Sequence, residues 1–199
     1  MIIIGLCGRS GSGKGTVGRI FAEYSIPVLD TDLLYHDMIN DPTSACTKAL
    51  VAAFGVGILD KAGTINRSVL RKIVFLEGNE DKLQKLNSIT HAYVLDATNA
   101  WIREKEKLGA KAICLDVPLL FESQMDKICD LTVAVVASDK TCIARIQKRD
   151  KVDVQTAVQR LGAQLSNEKL TARCSYVIEN DGSYSDLSSK VIKLLNEIL

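Results

Sequence analysis

Residues 2–16 constrain this chain more than any other stretch. Ile2-Ile3-Ile4-Gly5-Leu6-Cys7 runs into Gly8-Arg9-Ser10-Gly11-Ser12-Gly13-Lys14-Gly15-Thr16. An apolar strand that breaks into a glycine-dense loop and then a helical pattern is the setting in which Gly-x-x-x-x-Gly-Lys binds phosphate. Glycine lets the backbone take conformations that other residues resist, so successive N–H groups converge on phosphate oxygens. The helix that follows adds its positive N-terminal end. Lys14 is placed to reach the β- and γ-phosphates. Each residue from Gly8 to Thr16, Arg9, Ser10, Gly11, Ser12, Gly13 and Gly15 included, is thus a candidate ATP contact.

The loop departs from its pattern at one position. Gly15 follows the lysine where Ser or Thr normally holds Mg²⁺, and Thr16 comes one residue later. The Lys14-Gly15-Thr16 ending resembles the loop of adenylate kinases. Mg²⁺ is still expected, with Thr16, acting through water, and Asp116 as candidate ligands. The alternative, a glycine-rich turn that holds nothing, fits less well with a strand before the loop and a helix after it.

At 199 residues and 47% hydrophobic, the chain reads as one globular domain with room for an insertion. A net charge of +1 gives no argument for nucleic acid or an anionic membrane as partner. Six cysteines lack any C-x-x-C spacing and several lie in apolar runs, which reads as reduced thiols of a cytoplasmic protein. No apolar run approaches the ~18 residues of a membrane helix. No basic leader precedes the first strand, so no signal peptide is expected.

After the loop, Val17, Ile20, Phe21 and Tyr24 recur at helical spacing. Val28-Leu29 then leads to Asp30-Thr31-Asp32, a short strand ending in two acids, and in α/β sheets ligands sit at the carboxyl ends of strands. Residues from about 33 to 109 read as mainly helical. Asn66 is a candidate N-cap, Leu83, Leu86, Thr90, Tyr93, Ala97 and Trp101 trace one face of a long helix, and Gly109 stops it. The block is too long for an ordinary crossover and reads as an insertion that covers a substrate. Strands follow at 112–115, 131–137 and 176–179, with helices near 141–148 and 154–165 and a last one carrying Leu187, Val191, Leu194, Leu195 and Ile198. Strands alternating with helices predict a parallel sheet covered on both faces. Right-handed crossovers around the loop strand favour a five-stranded core like that of nucleoside-monophosphate kinases.

Phosphoryl transfer needs phosphate positioning, charge neutralisation and a group that orients the nucleophile. Lys14 and the loop amides meet the first need. Asp32 is the candidate for the hydroxyl proton, with capping of the next helix as its alternative role. Asp116 ends an apolar strand, where an acid can serve Mg²⁺, contact substrate or cap a turn. Arg145 and Arg149 share a helix face, and guanidinium pairs with phosphate oxygens; Lys148 and Lys151 read as solvated. His36 and His91 are isolated histidines. No serine-histidine-aspartate order or metal-ligand spacing supports a hydrolase or metalloenzyme.

Further stretches are more specific. Val28-Leu29-Asp30-Thr31-Asp32, Phe54-Gly55, Asp60-x-x-Gly63-x-Ile65-x-Arg67-x-x-Leu70 and Asp116-Val117-Pro118-Leu119-Leu120-Phe121-Glu122 follow the loop in order. Arg145-x-x-x-Arg149-Asp150, Arg160-Leu161-x-x-Gln164 and Val177-Ile178-Glu179-Asn180-Asp181-Gly182 complete the series. Together they resemble dephospho-CoA kinase over nearly the whole chain, and Asp116–Glu122 is the most discriminating piece. This chain departs from the family at Gly15, and at His91-Ala92, where a histidine-proline pair is usual.

The resemblance implies transfer of the ATP γ-phosphoryl group to the ribose 3′-hydroxyl of dephospho-coenzyme A, the last step of coenzyme A synthesis. Asp32 matches the family's proposed base and Arg145 its lid arginine, so Asp32, Lys14 and Arg145 are the expected catalytic residues. Asn180 falls near the ATP base. Asp32, His36, His91, Asp116, Leu119, Leu120 and Glu122 are expected at the acceptor. The implied fold is an α/β P-loop three-layer α/β/α domain over 1–199, with a five-stranded parallel sheet in the order 2-3-1-4-5. Its core would occupy 1–32, 110–138 and 174–199, a helical acceptor-binding insertion 33–109 and a helical lid 139–173. ATP and Mg²⁺ are the implied cofactors, dephospho-coenzyme A the small-molecule partner, and a cytoplasmic monomer the expected state. Another small-molecule or nucleoside-monophosphate kinase of this class is the rival activity, and an ATP-binding regulatory protein a remoter one.

Overall fold

The computed structural model describes residues 1–76 and 78–199. Among them, β1 (Ile2–Gly8), β2 (Val28–Asp30), β3 (Ala112–Asp116), β4 (Leu131–Val136) and β5 (Tyr176–Glu179) form one sheet in the order β2-β3-β1-β4-β5. Every pairing is parallel. This is the topology the sequence predicts. The strands are apolar on both faces because helices cover both: β3 is buried throughout, and β1 from Ile4 to Gly8.

The chain divides into two compact units, Met1–Asp30 with Ile102–Leu199 and Thr31–Trp101. The first holds the sheet with α1 (Lys14–Glu23), α6 (Asp139–Asp150), α7 (Val154–Gly162), α8 (Asn167–Thr171) and α9 (Tyr184–Ile198). Ile4, Leu6, Val133 and Val135 meet Val17, Ile20 and Phe21 of α1 and Leu187, Val191 and Leu195 of α9 on one face. Burying a side chain such as Phe21 contributes about 1.5–3 kcal/mol. A smaller core of Cys142, Ile146, Ala157 and Leu161 joins α6 to α7.

The second unit holds α2 (Thr31–Asn40), α3 (Ala45–Phe54), α4 (Arg67–Val74) and most of α5 (Glu80–Lys107) around Ile39, Leu50, Ile58 and Leu70. Asn66 caps α4 by accepting from Val69 N at 3.2 Å, and Gly109 takes φ 78 just past α5. The Asp60-to-Ile65 motif is a turn: the Asp60 carboxylate accepts from Ala62 N, Thr64 N and Thr64 Oγ1, and Leu59 bridges Ile65. No described helix is long and apolar enough to cross a membrane.

Candidate active site

The glycine loop leaves β1 at the centre of the sheet, between β3 and β4, and enters α1 at Lys14. Three of its glycines cannot be replaced. Gly11 takes φ 80, and a Cβ there would lie 2.5 Å from Cys142 O. A side chain at Gly8 would lie 2.5 Å from Val135 O. Gly13 takes φ 98, and a Cβ there would fall on the Asn180 amide nitrogen. Gly13 is the N-cap of α1 and offers no side chain, so the first-turn N–H groups are left for an incoming anion. Gly15 faces open space.

Side chains from the far end of the sequence hold the loop in shape. Arg145 Nη1 donates to the carbonyls of Gly11 (3.2 Å) and Ser12 (3.3 Å). Asn180 Nδ2 donates to Ser12 O at 2.7 Å and is 5% exposed. Gln164 Oε1 accepts from Ser10 N at 2.8 Å, and Arg149 Nη2 donates to Ser10 Oγ at 3.2 Å. The Arg9 side chain turns toward α6 and α7, where it pairs with Asp139 and donates to Leu161 O. The Asn180 side chain is thus spent on the Ser12 carbonyl, and the Arg9 side chain on Asp139 and Leu161. Arg149 sits on α6 and Gln164 just past the end of α7, and nothing local in the sequence says that either faces Ser10.

Lys14 and Asp116 form an ion pair at the head of the loop, with side chains 16% and 7% exposed. Asp116 stands opposite Asp30 across the β2–β3 ladder and opposite Leu6 across β1–β3. The described residues contain no cluster of three or more His, Cys, Asp or Glu that could cage a metal. Mg²⁺ fits such a place, since it commonly takes one or two carboxylates and leaves its other positions to phosphate and water. Asp116 suits that role by position and charge. Thr16 suits it less, because its hydroxyl accepts from the Arg19 guanidinium at 3.2 Å, a cation that opposes another.

The Asp116–Glu122 segment turns sharply after β3. Leu119 is 47% exposed and Glu122 is exposed, and with Gly8, Arg9 and Gln164 they line a narrow cleft beside the loop. Leu120, expected at the acceptor, is instead 1% exposed and packs where a Gly5 side chain would stand. Alternate residues of a turn carry no periodicity that could tell the two leucines apart. Phe121 lies beneath Arg173, whose guanidinium carbon is 4.1 Å from the ring centre.

Asp32 lies in the first turn of α2 and is exposed. His36, on the same helix, has its Nδ1 3.3 Å from Arg67 Nη1. His91 is exposed on α5, beside a groove of about 470 Å³ lined by Ala49, Ser88, Ala92, Tyr93 and Asp96.

The whole chain compares closely with proteins of one kind. The family model described as dephospho-CoA kinase matches residues 2–186. A dephospho-CoA kinase of Fusobacterium nucleatum is 40% identical over 198 residues, covering 100% of this chain and 99% of that protein. One from Bacillus cereus is 34% identical over 197 residues, covering 98% and 96%. A crystal structure of a Thermus thermophilus protein superposes with TM-score 0.82 at 28% identity, covering 100% of this chain and 98% of the other. With the loop, the Lys14–Asp116 pair and the Asp116–Glu122 turn in one connected arrangement, the match extends over fold and motifs alike, and the chain belongs to the dephospho-CoA kinase family.

Proposed function

We propose that this protein transfers the γ-phosphoryl group of ATP to the ribose 3′-hydroxyl of dephospho-coenzyme A, giving coenzyme A and ADP. The observation that carries the reading is the Lys14–Asp116 pair at the mouth of a loop whose backbone is already braced for phosphate.

The loop amides and the α1 N-terminus hold the phosphate chain, and Lys14 leaves Asp116 to neutralise charge on the β- and γ-oxygens. Arg145, already bonded to the loop, adds a guanidinium to the oxygens of the transferring group. Asp32 accepts or orients the acceptor hydroxyl proton. Asp116 would hold Mg²⁺, which when bound would supply positive charge to offset that of the phosphates. Leu119 and Glu122, with His36 and His91 of the helical insertion 33–109, receive the acceptor. The 139–173 segment acts as a lid that excludes water, so that the acceptor rather than water is phosphorylated. The working form is a cytoplasmic monomer.

The test is ADP release from ATP and Mg²⁺ with dephospho-coenzyme A, with adenosine monophosphate, and with neither. Turnover that requires dephospho-coenzyme A is expected. Turnover with adenosine monophosphate alone would move the protein to another small-molecule kinase activity.

A further inference from the structure

Cys7 and Cys174 are separated by 167 positions in the chain, yet their sulfurs lie 3.5 Å apart. Cys7 is the last residue of β1 before Gly8, and it is 1% exposed. Cys174 lies in the short link between α8 and β5, half-buried. The face of the sheet they share is the one opposite the α1–α9 core, since Leu6 and Val133 point into that core and Cys7 alternates with Leu6.

We propose that Cys7 and Cys174 are a redox-active pair: a hydroperoxide closes them into a disulfide that distorts the phosphate-binding loop, and a dithiol reductant reopens it.

The two sulfurs differ in the way such a pair requires. Cys174 is the reachable one. The Cys7 thiol beside it holds its pKa below the ordinary 9.0, with further help from Thr132 and the Arg173 charge, against the opposing effect of burial. The same hydrogen bond and burial push the Cys7 thiol well up, so Cys7 keeps its proton. Cys174 is thus the attacking sulfur and Cys7 the resolving one. The Cys174 sulfur attacks one peroxide oxygen and the O–O bond breaks. The hydroxide released takes up the thiol proton as water, and Cys174 is left as a sulfenic acid. The Cys7 sulfur then attacks the Cys174 sulfur, the S–O bond breaks, and the departing hydroxide leaves as water with the Cys7 proton. Two thiols lose two electrons and one hydroperoxide gains them.

Closure matters because neither flank has slack. A disulfide brings the sulfurs to about 2.05 Å, so β1 and the 174 segment must draw together. On one side Gly8 touches Val135 and Ser12 so closely that no Cβ fits. On the other, Ser175 N donates to Thr132 Oγ1 at 3.1 Å while Ser175 Oγ accepts from Thr132 N at 3.2 Å. Arg173, next to Cys174, caps Phe121 of the acceptor turn. The strain therefore falls on the loop and on that turn.

The experiment treats the full chain with hydrogen peroxide, traps free thiols by alkylation, and maps the digest without reduction. A Cys7–Cys174 cross-linked peptide is expected, with turnover falling about fivefold or more and returning on addition of dithiothreitol. The Cys174→Ala variant should keep its turnover through the same treatment. Cys7 and Cys174 recovered separately alkylated, or cross-linked to other cysteines such as Cys129, would overturn the pair. A mapped Cys7–Cys174 disulfide with unchanged turnover would overturn the effect on the loop. The peptide map of the unsubstituted chain decides the bond even where Cys174→Ala does not fold.

Discussion

The Lys14 ammonium is paired with the Asp116 carboxylate, and both side chains are largely out of water. The lysine of the glycine loop is therefore held in place by the acid that ends the neighbouring strand.

Removing that acid isolates a cation. Asp116→Ala leaves Lys14 without its partner and should lower stability by about 1–3 kcal/mol. It should also cut turnover at least as far as removal of a single transition-state donor does, roughly 10²-fold. Urea denaturation and saturating-ATP kinetics read the two effects separately. Asp116→Asn keeps the shape, and should recover part of the stability but little of the turnover.

The glycines of the loop should respond in opposite ways. Gly13→Ala meets a left-handed backbone, about 1–2 kcal/mol unfavourable, and a Cβ that collides with Asn180. Lost ATP binding by calorimetry and a lowered melting temperature are expected. Gly15→Ser enters open space within the first turn of α1, and stability should change by less than about 0.5 kcal/mol. A rise in Mg²⁺ affinity in this variant would show that a hydroxyl here can reach the metal.

Arg145 braces the loop through Gly11 and Ser12, and the proposed mechanism gives it the transferring phosphate as well. Arg145→Ala should lower kcat by roughly 10²-fold or more, with a smaller rise in the ATP KM from the lost bonds to Gly11 and Ser12. A loss confined to melting temperature would reduce it to a strut. Lysine cannot reproduce two directed donors, so Arg145→Lys should rescue only partly.

Asp32→Asn should slow turnover by roughly 10²–10⁴-fold with ATP affinity unchanged. Equal turnover in wild type and variant would remove this carboxylate from the mechanism.

Asp181 offers a pH test outside the chemistry. Its carboxylate accepts from Ser138 N and Ser138 Oγ, and the hydroxyls of Thr141 and Ser138 hold its pKa below the ordinary 3.8. A group depressed in the folded state contributes stability above its unfolded pKa and loses it as pH falls through the folded one. Wild type should thus exceed Asp181→Asn in urea midpoint at pH 7, with the gap closing below pH 3.8. The site is exposed, so solvent screening keeps the gap small.

Much of this was legible in the residues. Strands fully buried in a parallel sheet are unbroken apolar runs, so β1, β3 and β4 announce themselves, and Asn66 and Gly109 mark helix ends through local chemistry. What stayed hidden depends on tertiary pairing. Five residues of α8 are too few to show a period, and nothing local tells buried Leu120 from exposed Leu119. Gln164 gives no hint that its partner is Ser10 N, and the Asn180 amide is legible as a prop only once β5 lies beside β4. The motif residues were visible, but which of them touch ligand and which hold the loop is decided by the fold.

That division bears on how the protein is made. The loop leaves the ribosome well before its braces, which lie 130 to 168 positions later in the chain. β1 itself is flanked by strands that begin at Ala112 and Leu131. β1 must therefore wait, unpaired and apolar, until Ala112 and Leu131 have followed it. A ribosome-bound chain stalled before residue 180 would carry the whole nucleotide motif with its last brace missing, so competence to bind ATP should appear late in synthesis and abruptly.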